Sequence, residues 1–270
     1  MPVWFAALFG LTQGLTEFIP VSSTAHLRIL PTLFRMKDYG PAYTAVIQLG
    51  TLLAVIVYFA KDLGRLAVAM MKGPGTFEGR LPWMLVLGTV PIGILGLVLK
   101  KHISTDFRSL WVIAAALIAV GAVMIVIEQQ VGGAPDRKPL ESMTYMDVLL
   151  IGMAQSLALV PGVSRSGATI CAILLLGFAR SDAARFSFLL SIPAVAAAGL
   201  FEVREAVHVL GRDALPSLAV GLLTAAVSGY VAIAWIIKWL GSHDLVGFAV
   251  YRIIVGIALI GAMLGGYLQP

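Results

Sequence analysis

Two short polar stretches interrupt this apolar chain: TQGLTEFIPVSSTAH at residues 12–26 and PGVSRSGAT at residues 161–169. In the first, Gln13 lies one helical turn before Glu17, so both project from one face of a helix. Pro20 ends that helix, and Ser22, Ser23 or Thr24 can cap the next one, whose unpaired backbone N–H groups then point into the turn. His26 lies within one turn of Ser22 and Ser23, where it can exchange protons with a hydroxyl or with something bound there. The second stretch offers another helix N-terminus, the hydroxyls of Ser164, Ser166 and Thr169, and the guanidinium of Arg165. Free N–H groups, a positive dipole end and a guanidinium suit a phosphate or diphosphate. A nucleophilic hydroxyl, an imidazole and a carboxylate beside such an anion site suit phosphoryl transfer.

These groups sit in hydrocarbon-like surroundings. Hydrophobic residues make up 59% of the 270-residue chain and charged residues 12%, outside the range of soluble domains. The fold class expected is an all-α polytopic membrane protein. Of the fourteen acidic residues, Glu17 alone lies well inside an apolar segment. A carboxylate at that depth is costly unless paired, hydrated or put to use. The net charge of +5 is spread over short connections, which fits anionic lipid headgroups and gives no sign of a nucleic-acid partner. Cys171 is the single cysteine, so neither an internal disulfide nor a thiolate metal cluster is available. The opening MPVWFAALFG lacks a basic region before its apolar run and reads as mature protein, not a signal peptide. No organic cofactor motif, Walker loop or HExxH occurs.

Long uncharged runs predict six membrane spans, near 41–60, 81–99, 109–127, 184–203, 214–238 and 246–268, each close to the roughly 20 residues a helix needs to cross the hydrocarbon. The remaining apolar pieces, on either side of Pro20 and of PGVSRSG, are too short to span and predict two re-entrant hairpins, 3–34 and 148–179. A shift of 142 positions sets Gly10 on Gly152, Gln13 on Gln155, Val21 on Val163, Ser22 on Ser164, Thr24 on Ser166, Ala42 on Ala184 and Phe59 on Phe201. Two repeats are therefore expected, 1–130 and 131–270, each a hairpin followed by three spans, within one integrated membrane domain. An odd number of crossings inserts the second repeat upside down, and such inverted repeats form their binding sites from broken helices at the midplane. The two hairpin tips should then meet inside the membrane.

QGLTEFIPVSSTAH and PGVSRSGAT, in this order and about 140 residues apart, together with FAVYRIIVG near the C-terminus, resemble the undecaprenyl-diphosphate phosphatase family linked to bacitracin resistance. The resemblance covers the whole chain. It implies a multi-pass bacterial plasma-membrane hydrolase that converts the C55 lipid carrier diphosphate to the monophosphate at the outer face, recycling it for peptidoglycan synthesis. Carried over by position, it implies functional roles for Glu17, Ser23, His26, Arg165 and Thr169, with Ser22, Ser164 and Ser166 near them. The chain departs from the family at Gln13, where many members have glutamate. An amide is neither a base nor a good hard-metal ligand, so a two-carboxylate metal site at 13 and 17 is not expected. A divalent cation, Mg or Ca, is expected to bind mainly through the substrate diphosphate.

Ser23 is favoured as nucleophile with His26 as its base and Glu17 managing the proton; the alternative makes His26 the nucleophile. Two roles stay open for Arg252, holding the helices together or touching the site. Basic residues at 61–80 and 137–138 put those loops in the cytoplasm and the first hairpin mouth outside. A second class of function also fits the architecture: an inverted-repeat transporter or flippase of a phosphate-bearing lipid or anion, which needs the anion site but no nucleophile. The PSGH signature of the phosphatidate-phosphatase type is missing.

Overall fold

The computed structural model describes residues 1–131, 137–210 and 214–268, with the backbone alone described at 41, 42, 104 and 200–210. Twelve helices follow one another in it: α1 (Val3–Phe18), α2 (Ser23–Leu33), α3 (Gly40–Tyr58), α4 (Ala60–Met71), α5 (Phe77–Val98), α6 (Lys100–Ser104), α7 (Leu110–Val131), α8 (Tyr145–Ser156), α9 (Arg165–Leu175), α10 (Arg180–Leu210), α11 (Leu215–Leu240) and α12 (Val246–Leu264). Among the described residues there is no strand, only an isolated bridge between Lys138 and Phe178.

Helices α5, α7, α11 and α12 are long and apolar enough to cross a bilayer, and α3 with α4 adds a fifth if that pair, bent by 73°, is one span. The remaining stretch read from the sequence as a span, 184–203, lies within α10, whose side chains from residue 200 fall outside the described set. The outer surface fits hydrocarbon. On α5, Trp83, Val86, Val90, Ile94 and Leu97 recur every three or four residues and are all exposed, a stripe that no water-soluble protein would present. This is a multi-pass membrane protein.

Inside, small residues let backbones approach. A Cβ on Gly10 of α1 would fall 2.1 Å from the Gly221 carbonyl oxygen of α11, and one on Gly14 would fall 2.0 Å from Ser228 Oγ. A Cβ on Gly152 of α8 would fall 2.5 Å from the Gly88 carbonyl oxygen of α5. Between membrane helices, where hydrophobicity offers little preference for protein over lipid, this close packing is a main source of association. Accordingly α1 lies along α11 and α8 along α5, while α3 packs on α10 and α7 on α12. Phe18 at the end of α1 meets Phe188 of α10 edge-to-face at 5.2 Å, fixing this end of α1 against the second half of the chain.

Candidate active site

Both broken helices restart in the same way. Pro20 and the Pro161–Gly162 pair interrupt the chain, and the residue before each new helix, Ser22 or Ser164, holds a left-handed backbone with φ of 75° and 74°. That conformation is strained for serine and is held by the surroundings. Each serine caps the helix it precedes: Ser22 Oγ accepts from Ala25 N–H at 3.4 Å and Ser164 Oγ from Gly167 N–H at 3.1 Å. Each also sits beside the hydroxyl two residues on, Thr24 at 3.1 Å and Ser166 at 3.2 Å. The capping bonds leave the other first-turn N–H groups of α2 and α9 without helical partners.

The two tips touch. Gly162 N–H reaches Thr24 Oγ1 at 3.5 Å, and Ser166 Oγ donates to the Glu17 carbonyl at 3.1 Å. Arg252 of α12, with no exposed surface, ties them together: Nη1 donates to the Pro20 carbonyl at 3.0 Å, and Nη2 to the carbonyls of Gly162 at 2.6 Å and Val163 at 3.0 Å. Of the two roles the sequence leaves open for Arg252, the structure gives it the first.

Glu17 is the centre of the polar network. Its Oε2 accepts from Gln13 Nε2 at 2.8 Å and from Ser23 Oγ at 2.6 Å; its Oε1 accepts from Arg165 Nη2 at 2.7 Å and from Gln48 Nε2 at 3.2 Å. A carboxylate only 5% exposed is thus met by four donors, including a guanidinium from 148 positions away. The other arm of Arg165 is held by the Ser191 carbonyl at 3.2 Å. Thr169 Oγ1 lies behind this arginine, bonded to the Arg165 carbonyl at 2.8 Å and to Ser187 Oγ at 2.6 Å.

His26 goes elsewhere. Its Nδ1 lies 2.7 Å from the Ser22 carbonyl, which can only accept, so Nδ1 carries a proton; Nε2 lies 2.7 Å from the Tyr251 hydroxyl, with the two rings nearly parallel at 6°. Ser23 and His26 are not hydrogen-bonded to each other. The hydroxyl that sequence spacing paired with His26 points instead at Glu17, because successive residues on α2 face different neighbours.

A cavity of about 290 Å³ opens on this network. Its inner wall holds Glu17, Ser23, Thr24, Ser164 and Arg165, and Gln48 joins them from α3. Leu27, Ile92, Ile113, Leu159 and Val195 make much of the rest apolar. His26 does not line it, nor do Gln13, Ser22, Ser166 and Thr169, which stand behind the lining residues. Sequence reasoning does not single out Gln48, Ser187 and Ser191 as members of the site, and it leaves Tyr251 open beside Arg252. Gln48 left a signal, a lone amide in an otherwise uncharged apolar run, whereas the carbonyl and hydroxyl partners left none.

For a divalent cation the donor set is poor. Among the described residues no three His, Cys, Asp or Glu side chains group together, and both oxygens of Glu17 are already engaged. Among the described residues, the side chains around Glu17 do not by themselves make a resident metal centre.

A family model described as bacitracin resistance protein BacA matches residues 6–258. Similar proteins include the undecaprenyl-diphosphatase of Myxococcus xanthus, 48% identical with 98% of this chain and 90% of the relative covered. That of Chlorobium phaeobacteroides is 44% identical, with both chains covered in full. That of Mycolicibacterium smegmatis is 46% identical, covering 96% of this chain and 95% of the relative. With one family matched over most of its length and relatives of this identity aligned end to end, this chain belongs to the bacitracin resistance protein BacA family.

Proposed function

We propose that this protein hydrolyses undecaprenyl diphosphate to undecaprenyl phosphate and orthophosphate in the bacterial plasma membrane, returning the lipid carrier to peptidoglycan synthesis and conferring bacitracin resistance. The observation that carries the reading is the Ser23 hydroxyl held at 2.6 Å on the Glu17 carboxylate, between two helix N-termini and beside Arg165, in a cavity with apolar walls. A carrier needs an anion site but has no use for an activated hydroxyl, so this pair favours the hydrolase over the transporter.

In the proposed reaction the diphosphate enters with its prenyl tail along the apolar wall. Ser23 Oγ attacks the terminal phosphorus and passes its proton to Glu17, and the bond from that phosphorus to the bridging oxygen breaks, releasing undecaprenyl phosphate. Glu17 hands that proton to the departing undecaprenyl phosphate; water then attacks the phosphoserine, Glu17 takes a proton from the water and returns it to Ser23 Oγ, which leaves as its hydroxyl as orthophosphate is released. Arg165 and the first-turn N–H groups of α2 and α9 offset charge on the transferring phosphoryl oxygens. Glu17, not His26, is the base in this scheme, because the hydroxyl proton already points at it. His26 is a positioning residue that holds the Ser22 carbonyl, and with it the strained cap from which Ser23 projects. A Mg or Ca ion would bind mainly through the diphosphate oxygens, and no step above passes through it.

The halves are proposed to be inverted repeats, with re-entrant hairpins 3–34 and 148–179. Support comes from the exchange of partners, since the first hairpin helix packs on α11 and its counterpart α8 packs on α5, while α3 meets α10 and α7 meets α12. The matching caps at Ser22 and Ser164 support it too. With the 61–80 and 137–138 loops in the cytoplasm, the cavity opens to the outer face. The deciding experiment is phosphate release by purified protein in detergent, from C55 and shorter prenyl diphosphates, with and without chelator. Release from none of them would reject the hydrolase.

A further inference from the structure

The inner wall of the cavity is electrically balanced, since Arg165 is matched by Glu17. A diphosphate carries at least two negative charges, and balance alone does not draw it in. The surplus positive charge lies further along the same cavity. Arg28, one turn after Thr24 on α2, and Arg108, two residues before α7, both line it. These two guanidiniums share one carboxylate, Asp38, which Arg108 meets at 2.7 Å and Arg28 only at 3.7 Å. Arg28 also donates to Thr32 Oγ1 at 3.3 Å. Both side chains are about a quarter exposed, 24% each, so they face the cavity with donors to spare.

We infer that Arg28 and Arg108 form a second anion subsite in the outer part of this cavity, which holds a phosphate group apart from the one under attack at Ser23. Arg28 stands five residues along α2 from Ser23, an axial rise of about 7–8 Å, and its guanidinium is turned to Asp38 and not to the Ser23 hydroxyl. A phosphate held there is one arriving or leaving. Two sources supply that group, the incoming diphosphate and the departing orthophosphate, and the chemistry that recognises them is the same. Asp38 tethers both arginines and leaves the trio with net positive charge, so the subsite attracts a dianion without trapping it.

The inference takes the lipid substrate from the proposed hydrolase function, and the test separates the two. Full-length protein in detergent is titrated calorimetrically with inorganic phosphate, no lipid being present. In parallel, KM, kcat and inhibition by inorganic phosphate are measured with a short prenyl diphosphate. In Arg28→Gln and Arg108→Gln, phosphate affinity is expected to fall and KM to rise by about tenfold, with a smaller change in kcat, the size of one lost charge-assisted contact. Arg28→Lys should recover most of the loss, since a partly exposed subsite asks for charge more than for a planar fork. Asp38→Asn removes the competing carboxylate and should tighten phosphate binding, which keeps the test open if a glutamine variant does not fold. A change confined to phosphate binding assigns the subsite to the product, and one confined to KM assigns it to the substrate; either upholds it. Phosphate affinity and KM both unmoved in the glutamine variants, or neither phosphate affinity nor KM improved in Asp38→Asn, would overturn it. Wild-type protein that binds phosphate through these arginines yet hydrolyses no prenyl diphosphate would instead sink the hydrolase and leave the subsite standing.

Discussion

Pro20 and Gly162 stand 142 positions apart, and their carbonyl oxygens accept hydrogen bonds from the same guanidinium, that of Arg252, at 3.0 and 2.6 Å. Replacing Arg252 with leucine leaves three buried carbonyls without donors, counting Val163, at a cost of at least about 2 kcal/mol. Arg252→Leu should therefore unfold at lower temperature in detergent and lose turnover with it. Arg252→Lys should recover only part, because one ammonium cannot span both tips. Wild-type stability in Arg252→Leu would mean that the tips need no tie.

If Ser23 is the nucleophile and Glu17 its proton acceptor, Ser23→Ala and Glu17→Gln should each lower turnover by about a thousandfold or more, and the double variant should be little worse than either. Additive losses would show that the two do not act as a unit. Phosphoenzyme trapped by rapid acid quench should survive the acid, as phosphoserine does, whereas an acid-labile adduct would move the attack to His26.

His26→Ala should act through the cap. A loss of about ten- to a hundredfold is expected, smaller than that of Ser23→Ala, and Tyr251→Phe should show a milder version of it, since the phenol touches only the far ring nitrogen. Complete inactivity in His26→Ala with an intact fold would give the imidazole a chemical role that its position does not suggest.

Arg165→Lys should lose most activity although the charge is kept. The guanidinium bonds Glu17 with one arm and the Ser191 carbonyl with the other, a span that an ammonium does not match. Near-normal kcat/KM in this variant would detach the second tip from catalysis.

Calorimetry of the lipid-free protein with Mg or Ca should give no tight binding, because Gln13 supplies an amide where a second carboxylate would be needed. Gln13→Glu sets two carboxylates together one turn apart and should create such binding, with stronger dependence of turnover on the metal. Tight binding to the wild type would show a ligand set other than the one at Glu17.

The sequence made the meeting of Glu17 and Arg165 legible, because each is a costly charge in an apolar segment and each lies next to a helix break. It also made the paired tips legible, since Pro20 and Pro161–Gly162 end helices by backbone chemistry that needs no tertiary information. The direction of Ser23 was not. Residues 23 and 26 are near neighbours on one helix, and spacing gives their proximity without saying that the hydroxyl turns to Glu17 and the imidazole to Tyr251. Arg252 could be marked as an unusual charge, but its partners are backbone carbonyls, and any residue type carries one. Arg28 and Arg108 carry no such mark in the sequence, and it is the fold that sets both on the wall of one cavity.

A side chain that serves both tips at once can come from only one half of the chain. The packing of α7 on α12 is reciprocal, Gly121 against the Ala249 carbonyl and Gly256 against the Ala114 carbonyl, and the shared offset of 135 positions, from Gly121 to Gly256 and from Ala114 to Ala249, sets Arg252 on Leu117, fully buried in α7. Were the proposed repeats identical there, two cations would compete for a single set of carbonyls in a low-dielectric interior, with no acid between them. A chain made of identical copies could not close its own centre. Under the proposed repeat, the arginine that joins the halves is also the place where they had to stop being alike, so a search for sequence likeness between them would pass over the residue that most needs both.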